Sequence, residues 1–385
     1  MQNWSQCYRK IGALPAESGK AEVWLSPAIN DPWWDDFLRN TPCGQYQQSS
    51  LWAEFKAGEG WNQHRVVITG ADGITGGFQI LWKKRGPIRI GYVSKGPVAD
   101  PKLPALRPGL TRLLAQTVRD LGLDALIAQT PDEAPTDDDA GEETSGFIQS
   151  NPMDVIEATY LVDVTADMET VRQRMYRTLR QGVRKARERG MVVRPGTEAD
   201  LPLFFTLMSA TCRRQNSAPN PPSLDSLRRL WHVFMRNGSI EMAFAHHDGR
   251  DVAGRINLNF GHRVTQWKKG WDGTHHDWHP NELLADHALE WAHVHGYHLC
   301  DFSAINRHTA VHIMAGRPID ASMARSRDMF NLRLGGFPRL LPRARLFLPN
   351  SILRWAYLNT YGRYERHRER RLLADVADST LSLTA

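Results

Sequence analysis

The stretch RVVITGADGITGGFQILWKKRGPIRIGYV, residues 65–93, decides the fold. RVVIT (65–69), GGFQILW (76–82) and IRIGYV (88–93) are short runs rich in β-branched and aromatic residues. Asp72-Gly73 between the first two supplies the positive φ angles of a tight hairpin, so the segment predicts a three-stranded meander. Downstream, Leu106, Leu110, Leu113, Leu114, Val118 and Leu121 recur at helical spacing, and ALIAQ (125–129) reads as a buried strand. The same β-β-β-α-β order returns as EMAFA (241–245), Asp248-Gly249, AGRINLNF (253–260) and VTQWKK (264–269). After Pro280 a helix puts Leu283, Leu284, His287, Ala288, Trp291 and Ala292 on one face, and HLCDFS (298–303) closes the unit. Gly73 and Gly249 stand 176 residues apart, and Gly122 and Gly296 stand 174 apart. This near-constant offset predicts a tandem duplication in an α/β (α+β) fold, each lobe a mixed sheet flanked by helices.

At 385 residues the chain suits two such lobes. The expected divisions are a first lobe at 20–165, a second at 166–345, and a basic amphipathic helix with a tail at 346–385. A hydrophobic share of 41% with 23% charged residues is that of a globular protein. No apolar run approaches the roughly 18 residues of a membrane span. The opening MQNWSQCYRKIGALP lacks the apolar core of a secretory signal, so a cytoplasmic protein is expected, with the inner face of the membrane as a further location. Cys7, Cys43, Cys212 and Cys300 form no C-x-x-C pair and read as reduced thiols, Cys300 as a small buried hydrophobe.

The net charge of +6 understates the basicity of the body, because PDEAPTDDDAGEE (131–143) holds seven acids and no base. That stretch reads as a mobile loop; without it the charge is +13, which favours polyanions. Residues 171–189, VRQRMYRTLRQGVRKARER, read as one helix with Val171, Met175, Leu179 and Val183 on its apolar stripe. The remainder is arginine-rich, either an ordinary solvated face or a phosphate-binding one. The stretch 351–371 combines Ile352, Leu353, Trp355, Tyr357, Leu358 and Tyr361 with a basic end; docking on the body is favoured over a membrane interface.

Several chemistries are set aside: no nucleotide-cradling G-x-x-x-x-G-K-[ST], no G-x-G-x-x-G after a strand, and no G-x-S-x-G elbow. His308 and His312 are spaced i, i+4, but Thr309 stands where a zinc protease carries its general base. Three histidines and Asp277 in Thr274–His279 could hold a metal, yet a solvated loop is the better reading and no metal is expected.

QYQQSSLWAEFKAGEGW (45–61), YVSKGPVAD (92–100), TLMSATCRRQ (206–215) and PNELLADHALEWAHVHGYHLCDFSAI (280–305) together resemble the Fem family of non-ribosomal peptidyltransferases. The resemblance runs from about residue 30 to 345, and SKGPV with Gly296–Ile305 is its most specific part. It implies two GNAT-like lobes, aminoacyl-tRNA as donor, the amine of a peptidoglycan precursor as acceptor, and no bound cofactor. It further implies that Lys56, in Trp52-Ala-Glu-Phe-Lys56, and Arg214, with Arg213 as the alternative, hold the acceptor's phosphates, and that Lys95 lines the same cleft. With no long insertion between Arg214 and Pro280, the layout without a coiled-coil arm is expected.

Two positions depart from the family. Its Phe-Lys pair, whose Lys steadies the negative charge of the intermediate, is Phe330-Asn331 here, leaving Arg327 or Arg333 to take over around Asn331. Where an Asp follows the first lobe's strand, this chain has Thr130. Asp301, at the end of the closing strand, is the candidate for orienting the amine or accepting its proton, against a plain role in fixing the strand end.

The expected partners are a nucleotide- or lipid-linked envelope precursor and tRNA, with the protein a monomer. The rival readings are an acyl-CoA-dependent N-acyltransferase acting on an exopolysaccharide or lipid-linked amine, and a non-catalytic module that binds RNA or a membrane surface. Against acyl-CoA, the loop after VTQWKKGWDG lacks the glycine-rich pyrophosphate motif of GNAT enzymes.

Overall fold

The computed structural model describes residues 4–16, 19–132 and 146–361. The first lobe contains β1 (Arg9–Ala16), β2 (Gly19–Ser26), α1 (Pro32–Asn40), α2 (Ser50–Ala57), β3 (Asn62–Thr69), β4 (Ile74–Arg85), β5 (Ile88–Ser94), β6 (Val98–Ala99), α3 (Leu106–Asp120), β7 (Ala125–Gln129) and β8 (Ile148–Gln149). The second contains β9 (Ala158–Asp163), α4 (Met168–Arg174), α5 (Arg177–Glu188), β10 (Val192–Pro195), α6 (Leu201–Arg214), α7 (Leu224–Met235), β11 (Ile240–His247), β12 (Arg250–Phe260) and β13 (Arg263–Trp271). It continues through α8 (Pro280–Val294), β14 (Leu299–Ala304), α9 (Arg307–Met314), α10 (Ala321–Ala324), α11 (Asp328–Leu332) and β15 (Phe337–Leu340). β16 (Arg345–Phe347) and α12 (Ser351–Asn359) follow.

The repeat is visible in the hydrogen bonding. β3, β4 and β5 pair antiparallel, α3 crosses over, and β7 returns parallel to β5; β11, β12, β13, α8 and β14 do the same. The correspondence extends outward, because β7–β16–β8 in the first sheet has the antiparallel arrangement of β14–β9–β15 in the second. β16 thus fills in the first sheet the place that β9 fills in the second. The sheets divide the chain differently from the expected boundaries: the first begins at Arg9, the second takes up residues from Ala158, and β16 crosses back. Between Arg214 and Pro280 the chain is taken up by α7 and β11–β13, with no arm.

α3 buries Leu106, Leu110, Leu114 and Val118 against Val66, Phe78, Ile80 and Val93, as its spacing predicts. α8 buries Leu283, Leu284, Ala288 and Ala292 against Ala243, Ala245 and Cys300. The two turns differ. Asp248 and Gly249 both take positive φ, 46° and 76°, in a two-residue hairpin, whereas the first turn spans Gly70–Gly73 and only Gly73 there is left-handed.

The single helix expected over 171–189 is two. Met175 is extended, the Tyr176 amide donates to the Arg333 carbonyl, and a Cβ on Gly335 would sit 2.4 Å from the Arg174 backbone. The chain breaks there because another segment packs against its backbone. Cys300 is buried, its thiol pushed up to about 12 by burial. α12 is docked on one side, where Arg354 donates to the Gly146 carbonyl and Tyr357 bonds Ser150 at 2.6 Å, while Ile352 and Trp355 face outward. The rest of the 351–371 stretch and most of the acidic one lie outside the described residues.

Candidate active site at the lobe junction

α2 is fixed before it reaches the junction. The Ser49 hydroxyl caps it, and buried Asp35 accepts from the Ser50 amide and hydroxyl at 2.6 and 2.7 Å. One turn later Lys56 lies over the Trp52 and Phe55 rings, 5.1 Å from each centroid, and donates to Glu59 Oε2 at 2.6 Å. The other oxygen of Glu59 accepts from Ser226 on α7, so this corner touches the second lobe. Lys268, on β13, lies close to Lys56: burial lowers its pKa, Cys212 partly opposes this, and Lys56 lowers it further. Lys83 feels burial, Arg85 and Lys56 in the same direction and rests 4.3 Å from the Trp61 ring centroid. Lys56 and Lys83 near Glu59, with Lys268 close to Lys56, leave a surplus of positive charge suited to a dianion.

A second set of charges is buried where the two lobes meet. Lys95, in the left-handed region at φ 58°, donates to Asp132 Oδ1 at 2.6 Å, and Arg263 of β13 binds the other Asp132 oxygen. Burial alone would raise the Asp132 pKa, but Lys95 and Arg263 hold it well below the usual carboxylate range. Arg263 also reaches Asp301 at 3.4 Å, whose remaining oxygen accepts from the Thr159 hydroxyl and the Ser303 amide. Asp132 is therefore no part of a solvated acidic run. Asp301 has both oxygens engaged, which makes it a group that ties β9, β13 and β14 together rather than an open carboxylate.

The strands of the second lobe open next to this network. β5 and β7 stay paired over five positions, Ile90↔Ala125 to Ser94↔Gln129. β13 and β14 pair over only three, ending at Thr265↔Asp301. Beyond that point Ile256 pairs with Lys268 and Asn257 with Gln266, leaving Trp267 as the extra residue of a bulge. The bulge turns Lys268 to the face of Ile256, packed with α6 and α7, and leaves Lys269 opposite Arg255, whose guanidinium donates to the Leu284 carbonyl of α8. The second sheet thus presents a wedge between β13 and β14 that the first sheet lacks.

The remaining sequence-predicted residues surround the wedge. Exposed Arg214 donates to the Trp271 carbonyl at 2.7 Å and stacks 4.9 Å from its ring centroid, three residues beyond Lys268 at the end of β13; Arg213 is exposed beside it. Asn331 is buried, its amide donating to the Phe302 carbonyl at 3.3 Å. Arg333 meets Tyr176 through its backbone carbonyl, and Arg327 bonds Gln215 at 3.4 Å. Of the basic helical residues, Arg172 and Arg187 clamp buried Asp286 of α8 and are structural, while Arg174, Arg177, Arg180, Arg184 and Lys185 face outward. At the α8 end, Lys185, Glu188, Arg189, His276, Asp277 and His279 line a cavity of about 530 Å³. Of the loop histidines, His275 stacks on Trp278 at 3.8 Å and His279 meets Glu282 at 3.4 Å, and among the described residues no cluster fit for a metal occurs.

Sequence reasoning missed Lys268, Lys269, Glu59, Asp132 and Arg263. The Lys-Lys pair inside VTQWKK, two ammonium groups in an otherwise core-forming strand, was the available signal.

A family model described as an acetyltransferase (GNAT) domain matches residues 173–308. The lipid II:glycine glycyltransferase of Staphylococcus epidermidis is 22% identical over 246 residues, 61% of this chain and 59% of that protein. That of Staphylococcus aureus (strain MRSA252) is 26% identical over 253 residues, with the same coverages of 61% and 59%. The chain thus spans about three-fifths of the length of these relatives. A crystal structure of FemX superposes with a TM-score of 0.70 at 16% identity, covering 85% of this chain and 97% of that one. A tandem GNAT protein from the clavulanic acid biosynthesis pathway reaches 0.50 at 13% identity, covering 86% and 99%. A bulged, opened second lobe, a closed first lobe and these likenesses give the chain the two-lobed, tandem GNAT fold seen in the FemX crystal structure.

Proposed function

We propose that this chain is an acyltransferase that forms an amide on the amine of a phosphate-bearing cell-envelope precursor, with aminoacyl-tRNA as donor. The observation that carries the reading is the corner where Lys56 of one lobe, paired with Glu59, lies close to Lys268 of the other, on the strand that borders the wedge between β13 and β14. A pyrophosphate there replaces the repulsion between ammonium groups with charge-assisted bonds. The acceptor amine then meets the donor carbonyl at the wedge, and holding the two together supplies much of the acceleration. Arg214 and Arg213 extend the positive surface along β13, and the Asp132–Arg263–Asp301 network keeps the lobes in register. The outward arginines of α4 and α5 suit the phosphates of RNA. A lipid-linked acceptor fits the apolar, outward Ile352 and Trp355 of α12 and a place at the inner membrane face.

A second donor, acyl-CoA, is favoured by the GNAT match over 173–308. The deciding experiment offers labelled aminoacyl-tRNA and acetyl-CoA side by side, with nucleotide- and lipid-linked peptidoglycan precursors and with amino-sugar acceptors. Transfer from tRNA to a precursor is expected. Transfer from CoA alone replaces the donor, and transfer from neither removes the enzymatic reading.

A further inference from the structure

Lys269 differs from Lys56 and Lys95 of the junction. Lys56 and Lys95 each hold a carboxylate, but among the described residues the Lys269 ammonium has neither an ion-pair partner nor a hydrogen-bond acceptor. The nearby acceptors are taken by its cross-strand neighbour Arg255, which bonds the Leu284 carbonyl at 2.8 Å and Gln266 at 2.6 Å. What Lys269 does meet is the Phe330 ring, 5.1 Å from ammonium to centroid. Phe330 belongs to α11, which Asn331 ties to the Phe302 carbonyl of β14. A side chain rooted on β13 thus reaches a ring anchored to β14, across the gap the two strands leave.

The surroundings are electrostatically unfinished. Arg255 from β12 and Arg327 ahead of α11 repel the ammonium, and Glu282 from the first turn of α8 is the carboxylate that opposes them. Solvent reaches Lys269, yet protein encloses it closely enough that burial, followed by Arg255 and Arg327, lowers its pKa. A solvent-reached cation among like charges at the opening between two strands, with no anion of its own, is matched to negative charge that arrives with a ligand or develops during reaction.

We propose that Lys269 is a catalytic residue: its ammonium, spanning the opening between β13 and β14 toward Phe330, receives the carbonyl oxygen of the acyl donor as that oxygen becomes an anion. The assignment rests on the acyltransferase reading above and adds the group that stabilises its transition state. In the step, the acceptor nitrogen's lone pair forms the C–N bond while the carbonyl π electrons move onto oxygen beside Lys269. Collapse re-forms C=O, breaks the bond from carbon to the leaving oxygen of the ester, and that oxygen takes up the proton the amine gives away. Lys269 stays protonated throughout. The bulge at Trp267 divides the labour of two consecutive lysines, Lys268 facing the acceptor's phosphates and Lys269 the donor's carbonyl. Asn331 leaves a neutral amide at the next position along α11, and the cation comes from the facing strand instead.

The test compares wild type with Lys269→Gln and Lys269→Arg. Lys269→Gln is expected to lower kcat about 100-fold, the usual effect of losing one oxyanion donor, with KM for the precursor unchanged. Lys269→Arg is expected to recover most of the loss and to move the alkaline limb of the pH–rate profile upward, because a guanidinium stays charged where a lysine of lowered pKa does not. Calorimetry with a phosphonate analogue of an aminoacyl-adenosine ester reads the same interaction without turnover. Wild type should bind it at least tenfold more tightly than Lys269→Gln, while a planar amide analogue binds both equally. Equal phosphonate affinity, or a Lys269→Gln kcat within twofold of an active wild type, overturns the role of Lys269 and leaves the enzyme reading intact. A wild type that transfers from no donor and binds neither analogue overturns both.

Discussion

Asp132 of the first lobe and Arg263 of the second form a buried ion pair across the junction, with their side chains 1% and 10% exposed. Lys95 completes the neutralisation from the other side of the carboxylate. Removing one member of such a set leaves the others charged and unmatched, a loss of about 3–5 kcal/mol. Asp132→Ala should therefore lower the urea midpoint by that equivalent and is expected to be more damaging than removal of any exposed pair, such as Arg228–Asp225. Because the Asp132 pKa is depressed in the folded protein, its contribution is fully present above the unfolded value of about 3.9 and is lost as pH falls further, toward the folded pKa. Urea melts from pH 6 down to 3 should show the wild type losing stability in the acid range more steeply than Asp132→Asn.

Lys56 and Glu59 make a prediction with two signs. Lys56→Ala should weaken a nucleotide-linked precursor by about 10 to 150-fold, the worth of one charge-assisted phosphate contact. Glu59→Gln releases Lys56 and removes the one carboxylate facing the phosphate, so it should tighten the same ligand several-fold. Calorimetry with the nucleotide-linked precursor measures both; a Glu59→Gln protein that binds more weakly would mean the pair, rather than the free ammonium, is what the ligand meets.

Thiol chemistry should separate the cysteines by burial. Cys7 is exposed, whereas Cys43 and Cys300 are buried and the Cys300 thiol is pushed up to about 12. In native protein at pH 8, a disulfide reagent should modify Cys7 quickly and leave Cys43 and Cys300 untouched until denaturant is added. Fast native modification of Cys300, read by mass spectrometry, would contradict its packing against the Ala288 carbonyl.

Gly335 should tolerate nothing larger. It has φ 76°, and an added Cβ would lie 2.4 to 2.6 Å from the backbone atoms joining Arg174 to Met175. Gly335→Ala is expected to cost more than about 3 kcal/mol, since it combines a backbone clash with a left-handed conformation. Gly249→Ala, also left-handed but with open space at its Cβ, should cost only about 1 kcal/mol. Comparing the two melting curves separates packing from conformational strain.

The duplication was legible because the hydrophobic pattern of each strand and the apolar faces of α3 and α8 are local properties that survive in both copies. The site was less so. Val171, Met175, Leu179 and Val183 keep helical spacing straight through the break between α4 and α5; no Pro or Gly marks it, and only the approach of Gly335 from far along the chain imposes it. VTQWKK reads the same whether or not a bulge lies at Trp267, so the opposed directions of Lys268 and Lys269 exist only in the sheet. Asp132 was lost among the acids that follow it, since composition averages over a run and cannot separate its one buried member. Lys56 and Lys95 were singled out through family likeness alone, and Glu59, the carboxylate that Lys56 pairs with, was not.

β16, the final strand of the described residues, lies inside the first sheet, between β7 and β8. During synthesis β7 therefore leaves the ribosome more than two hundred residues before its neighbour exists. For that interval the nascent first lobe carries a bare strand edge able to recruit other chains, and it becomes complete only once β16 has been made. The two halves of this duplicated protein are consequently not separable modules: a fragment ending before Arg345 contains every element of the second sheet, yet lacks the piece that closes the first.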